Sequence, residues 1–169
     1  MTDIRARLNP KTDLIMERTV EVPREIVWKA WTEAEHLKKW FCPKPWQTTE
    51  AIIDLRPGGR FYTAMKGPEG ESHSGEGCYL EVAKHERLVW TSGLAADFRP
   101  ITEFKEGCGA WPFTAHIIFE PHGKNGTKYT VVILHSAEEH RKTHEEMGFP
   151  GGWDEALKQL VELYQAGQL

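Results

Sequence analysis

Cysteine is scarce: Cys42, Cys78 and Cys108 are the three in 169 residues, odd in number, widely spaced and without a CxxC pair. That excludes a disulfide framework or a zinc knuckle and fits a reducing, cytoplasmic setting. Long apolar runs are missing as well. The opening segment carries Asp3, Arg5, Arg7 and Lys11 with no apolar stretch behind them, so neither a secretory leader nor a membrane span is expected. Positive charge is not in excess: 21 Lys and Arg face 25 Asp and Glu, for a net charge of -4. Without a basic stripe to neutralise phosphates, nucleic acid is excluded as a partner. The usual catalytic signatures are also absent. No GxSxG elbow or reactive-cysteine motif occurs, and Gly58-Gly59 is not followed by GK[ST], so neither a nucleophile nor a phosphate loop is supported and no cofactor is implied.

What remains is a chain long enough for one domain, expected over residues 12–169, that buries roughly 70% of its unfolded surface without a staple. Residues 1–11 are polar and contain Pro10, which reads as a flexible tail. Alternation over Leu14–Val22 predicts a first strand. Pro23 then opens a short helix whose apolar face is Ile26, Val27, Ala30 and Trp31. Thr32 and Glu35 have capping-box spacing, which predicts a second short helix carrying Leu37 and Trp40.

The middle of the chain predicts about six strands. Residues 48–55 and 60–66 flank the Pro57-Gly58-Gly59 turn, with Asp54 and Arg56 placed to brace it. Further strands are expected over 75–82 and 87–92, and a hairpin over 113–120 and 127–135 closes through His122-Gly123-Lys124-Asn125-Gly126. The connection from 93 to 112, about twenty residues, exceeds the usual length and reads as a lid. After Gly151-Gly152, Trp153, Leu157, Leu160 and Tyr164 form one apolar stripe of a long terminal helix. The fold class is therefore α+β, a bent antiparallel sheet gripping one helix. A single helix fills such a concave face poorly, which predicts a pocket for a small apolar molecule.

Strand parity names the lining. Tyr129, Val131, Ile133 and His135 share one face, as do Phe113, Ala115, Ile117 and Phe119 on the neighbouring strand. Phe61, Thr63, Met65, Cys78, Leu80 and Val82 point the same way, while Trp90 fits either register. The expected ligand-binding residues are Phe61, Thr63, Met65, Trp90, Trp111, Phe113, Tyr129, His135, Met147, Phe149, Trp153 and Leu157. His135 is also the candidate acid or base, whereas His116 falls on the outer face. His140 and His144 stand four apart as in HExxH, but Arg141 occupies the glutamate position and charge surrounds the pair, so no metal site is expected.

One pattern spans Leu14 to Tyr164. Val22-Pro23 leads into Val27-Trp28-Lys29-Ala30-Trp31-Thr32, then Trp40, then Asp54-Leu55-Arg56-Pro57-Gly58-Gly59-Arg60-Phe61. Together with Glu86-Arg87-Leu88-Val89-Trp90-Thr91 and His144-Glu145-Glu146-Met147-Gly148-Phe149 before Gly152-Trp153, it resembles the START-like (SRPBCC) helix-grip superfamily, in the branch of activators of heat-shock protein 90 ATPase. The resemblance implies a sheet gripping the C-terminal helix around a cavity that takes hydrophobic molecules such as lipids, sterols or polyketides. It leaves three expectations: a binding module for a small hydrophobic or aromatic molecule, a polyketide cyclase or dehydratase using His135, and a co-chaperone that stimulates a chaperone ATPase. Homodimer formation stays open.

Overall fold

A computed structural model describes residues 3–104 and 110–169. Cys108, and with it part of the expected 93–112 lid, lies outside the described residues. Seven antiparallel strands form the main sheet in the order β1-β9-β8-β5-β4-β3-β2. They are β1 (Asp13–Val20), β2 (Gln47–Ile53), β3 (Arg60–Lys66), β4 (Ser72–Ala83), β5 (Arg87–Thr91), β8 (Phe113–His122) and β9 (Gly126–His135). Between β5 and β8, β6 (Leu94–Ala95) and β7 (Arg99–Pro100) pair as a small separate ladder. Four helices complete the fold: α1 (Arg24–Thr32), α2 (Ala34–Leu37), α3 (Glu138–Glu146) and α4 (Gly151–Gln165). None of the described helices is long and apolar enough to cross a membrane.

Helices α1 and α2 are separated by the extended backbone of Glu33. The expected capping box does not form. Thr32 Oγ1 instead donates to the Trp28 carbonyl one turn back, at 2.9 Å, and α2 begins without a side-chain cap. This back-bonding is the alternative open to a threonine at the end of a helix.

The turn after β2 forms as expected, with Arg56 paired to Asp54 at 2.9 Å. Gly59 is required there, because a Cβ would stand 1.8 Å from the Asp54 carbonyl oxygen. Beside it, Asp97 and Phe98 both take φ of 59° in a 3₁₀ turn, and the Asp97 amide bonds the Gly58 carbonyl at 2.8 Å. The described part of the 93–112 connection thus packs on β3 and β4.

Parity fails at one point. Register between β4 and β5 steps from Tyr79↔Trp90 to Glu81↔Val89, so Leu80 is the extra residue of a bulge. The expectation that Cys78 and Leu80 face the helices is corrected: Tyr79 enters the core and Leu80 does not. Cys78 is buried outside that cluster, opposite Thr91. Val82, beyond the bulge, still packs against the core.

The expectation of a loose segment over 1–11 also needs correction. Ile4–Arg7 forms a 3₁₀ turn capped by Asp3, and Arg5 reaches Glu120 on β8 with bonds of 2.7 and 3.1 Å.

Helix α4 starts at Gly151, two residues before the predicted Trp153. It buries Ala156, Leu157 and Leu160, while Trp153 and Tyr164 are half-buried on the same cluster. Gln159 ties it to the chain after α2: its amide donates to the carbonyls of Trp40 (3.1 Å) and Cys42 (2.9 Å), and its oxygen accepts from the Lys44 amide at 2.9 Å. Arg18 of β1 grips Asp154 through two 2.7 Å bonds. Residues from both edge strands, Leu14 and Met16 on β1 and Ala51 and Ile53 on β2, share one core with α1, α2 and α4.

Candidate functional site

The helices are fixed against the sheet largely by aromatic rings, and these rings form one band. At one end Trp153 of α4 stacks on Trp31 of α1, with centroids 6.2 Å apart. Trp31 meets Trp40 and Phe41 at 5.1 and 5.6 Å. Phe41 then reaches Phe61 on β3 (5.9 Å), Phe61 reaches Trp90 on β5 (4.8 Å), and Trp90 reaches Phe113 on β8 (5.3 Å). Phe113 faces His144 of α3 at 5.9 Å, and Phe149 closes on His144 at 5.7 Å. Edge-to-face and offset arrangements dominate, the geometry in which ring quadrupoles attract.

The band ends on a histidine pair. His135 Nδ1 lies 2.8 Å from the Thr12 carbonyl; a carbonyl only accepts, so Nδ1 holds the proton and donates. A neutral His135 therefore offers Nε2 as an acceptor to His144 Nδ1, 2.9 Å away. His144 Nε2 is left with no hydrogen-bond partner among the described residues. Burial lowers the pKa of both rings, and the neighbouring His135 lowers His144 further, to about 4. Both imidazoles are neutral near pH 7. Among the described residues no group of three or more His, Cys, Asp or Glu is placed to hold a metal ion.

Most of the expected lining falls on or beside this band. Phe61, Trp90, Phe113, Phe149 and Trp153 are its members, and His135 supports its end. Thr63 is buried on β3 and Leu157 on α4, while Met65 is half-buried. Tyr129 joins a side branch through Phe119 to Trp28. Two expected residues lie apart. Trp111 stacks on His140 at 5.5 Å, and Met147, at the end of α3, is 46% exposed.

Sequence reasoning missed Tyr79, Phe41, Trp31 and His144. The i, i+3 pair Trp28 and Trp31 was a usable signal for the second indole, but the bulge that turns Tyr79 inward had none.

Beneath the terminal helix, where an open pocket is expected, aromatic rings take up much of the space. Helices α1 and α2 and the segment after them share the sheet face with α4 and bring Trp31, Leu37 and Trp40, which lies past the end of α2 rather than on it as expected, into the space a single helix would leave. Two clefts open elsewhere. One, of about 330 Å³, lies where Leu14 and Ile15 meet Arg141, Glu145 and Phe149. The other, of about 270 Å³, is lined by Thr91, Phe113, Thr114, Leu134 and His135. The second includes His135 itself, and the first includes Phe149, which contacts His144.

The fold is shared. The chain is similar to a protein of known crystal structure from Nitrosomonas europaea, with 42% identity over 96% of this chain and 100% of that one and a TM-score of 0.87. It is also similar to one from Mycobacterium smegmatis, with 26% identity, 90% of each chain covered and a TM-score of 0.73. A protein from Rhodobacter sphaeroides shares the fold at 18% identity, with a TM-score of 0.79 over 94% of this chain and 96% of that one. No curated protein matches. The profile described as Activator of Hsp90 ATPase homolog 1-like protein matches residues 21–165, which takes in every strand of the main sheet except β1, together with the four helices α1 to α4. With the seven-stranded sheet and its terminal helix in place, the chain belongs to the family of Activator of Hsp90 ATPase homolog 1-like proteins.

Proposed function

We propose that the protein is a binding module for a small aromatic or hydrophobic molecule, taken up against the ring band between the sheet and α4. The observation that carries this reading is the unbroken run of rings under a thinly attached cover. Helix α3 buries none of its residues, and His144 reaches the band through Phe113, Phe149 and His135. Elements with few buried apolar contacts open at low free-energy cost, so a flat molecule enters at α3 and stacks among Phe113, Trp90 and Phe61. Its rings gain the same edge and offset contacts that the side chains make with one another. Calorimetric titration with naphthalene-sized aromatics is expected to give saturable one-to-one binding, weakened about five- to tenfold by Phe113→Ala. Absence of heat across the panel overturns the reading.

A second reading, acid/base chemistry of the cyclase or dehydratase kind, is favoured by the Thr12, His135, His144 series. In it His144 presents the bare nitrogen and His135 fixes its tautomer. His144→Gln separates the two readings, because it removes turnover while leaving aromatic binding in place.

A further inference from the structure

In the middle of the ring band stand two polar atoms that the fold does not satisfy. The Tyr79 hydroxyl and Trp90 Nε1 are both buried, with no hydrogen-bond partner among the described residues. Tyr79 is 1% exposed and Trp90 7%. Four other buried side-chain atoms share this condition: Trp31 Nε1, His36 Nδ1, Trp111 Nε1 and Arg141 Nε. Of these, Trp31 Nε1 lies nearer the α4 end of the band, and the other three are scattered over α2, the 93–112 connection and α3. Tyr79 and Trp90 instead are direct cross-strand partners on β4 and β5. Both rings pack on Phe61, at 5.4 and 4.8 Å, so the two side chains belong to one locality.

Their pairing depends on the bulge. With regular alternation through β4, Leu80 rather than Tyr79 would share the helix-facing side with Val82, and the pair would not exist. Burying a hydroxyl or an indole N–H without a partner is unfavourable, and neighbouring polar atoms in one apolar locality are rare enough in native structures to need a cause. An indole N–H only donates, whereas a phenol hydroxyl donates and accepts. A single oxygen acceptor reaching this locality would satisfy both.

We infer that the molecule bound against the band carries a neutral oxygen acceptor, a carbonyl or ether attached to its aromatic framework, which receives hydrogen bonds from Trp90 Nε1 and the Tyr79 hydroxyl. A carboxylate is the poorer fit. No cation lies among the rings that form this stretch of the band (Phe61, Trp90, Phe113 and Tyr79), and an unpaired buried anion is far costlier than a neutral acceptor. The inference rests on the ligand-binding reading above and narrows the class of molecule it admits.

The test uses two probes of nearly equal shape, 2-acetylnaphthalene and 2-isopropenylnaphthalene, which differ in having or lacking the acceptor oxygen. Calorimetric titration of the full chain is expected to give affinity about tenfold or more tighter for the ketone, since two hydrogen bonds to otherwise unsatisfied groups are at stake. Tyr79→Phe and Trp90→Phe each keep a ring in place and are expected to cut that preference to about threefold or less. A thermal melt without probe supplies an independent readout. Removing an unsatisfied buried hydroxyl is expected to raise the Tm of Tyr79→Phe by about 2–4 °C. Equal affinity for the two probes overturns the acceptor inference and leaves aromatic binding standing, whereas binding of neither removes both. A Tyr79→Phe protein that melts several degrees lower than wild type also overturns the inference, because its hydroxyl would then already be satisfied within the fold.

Discussion

Trp31→Ala is expected to destabilise the protein by about 3–5 kcal/mol, a large part of the ~5–15 kcal/mol that holds a domain of this size folded. Trp31 is 1% exposed and is the junction at which three elements meet through rings. Trp40 and Phe41 contact it from the segment after α2, and Trp153 from α4. Truncation removes the transfer energy of an indole and leaves a cavity whose walls are themselves large rings, anchored on separate helices and unable to collapse together. Trp46, half-buried against His73 at 5.4 Å, lies off the band, and Trp46→Ala is expected to cost less than about 1 kcal/mol. Urea midpoints of the two variants measure the contrast. A Trp31→Ala protein no weaker than Trp46→Ala would show that the band does not hold the helices on the sheet.

Acid is the second large lever. A histidine kept neutral by burial reverses the common case in which a partner raises the pKa. Above its unfolded value of 6.5 His144 is neutral in both states and costs nothing; as pH falls toward the folded value of about 4, the unfolded chain binds a proton that the folded chain resists. Stability is therefore lost between about pH 6.5 and 4. The shift corresponds to about 2 kcal/mol by pH 4.5, after allowing for the part of the ring that water reaches.

The groups around the pair set the sign. Besides burial, His135 feels the Thr12 carbonyl and Asp13, which favour its charged form, and His140 and Arg141, which oppose it; His144 is opposed by His135. His36 and His116 are also pushed down by burial and contribute in the same window. The diagnostic quantity is accordingly the difference between wild type and His144→Gln, measured by urea unfolding at pH 7 and pH 4.5. The variant is expected to lose about 2 kcal/mol less over that range. Parallel pH profiles would mean that His144 is not held neutral by the fold.

The order of elements was legible because each long element carries its own period. Leu157 and Leu160 recur at helical spacing on α4, and β9 reads as a run of β-branched and apolar residues that is buried along almost its whole length. Turn chemistry was legible where one residue type alone fits, as at Gly59, whose missing Cβ clears the Asp54 carbonyl. The inward turn of Tyr79 was not legible, since a bulge adds a residue without changing composition or local propensity. Nor was the partial burial of His144. Its neighbours Arg141, Glu145 and Glu146 describe a solvated helix, and only the packing of α3 across Phe113 and Phe149 makes one histidine of that helix part of the site. The ring-filled interior follows from an additive effect that strand parity cannot register. Parity says which side chains face inward, but not how much volume α1 and α2 bring to meet them.

Binding against the band has a direct readout in the indole N–H resonances of the seven tryptophans. In a two-dimensional proton–nitrogen spectrum of the full chain titrated with 2-acetylnaphthalene, the indole signals of Trp31, Trp90 and Trp153 are expected to shift saturably, with Trp90 moving furthest. Trp46, off the band, is expected to stay in place. Shifts confined to Trp46 and Trp111, or a spectrum unchanged at millimolar probe, would contradict a binding site between the sheet and the terminal helix.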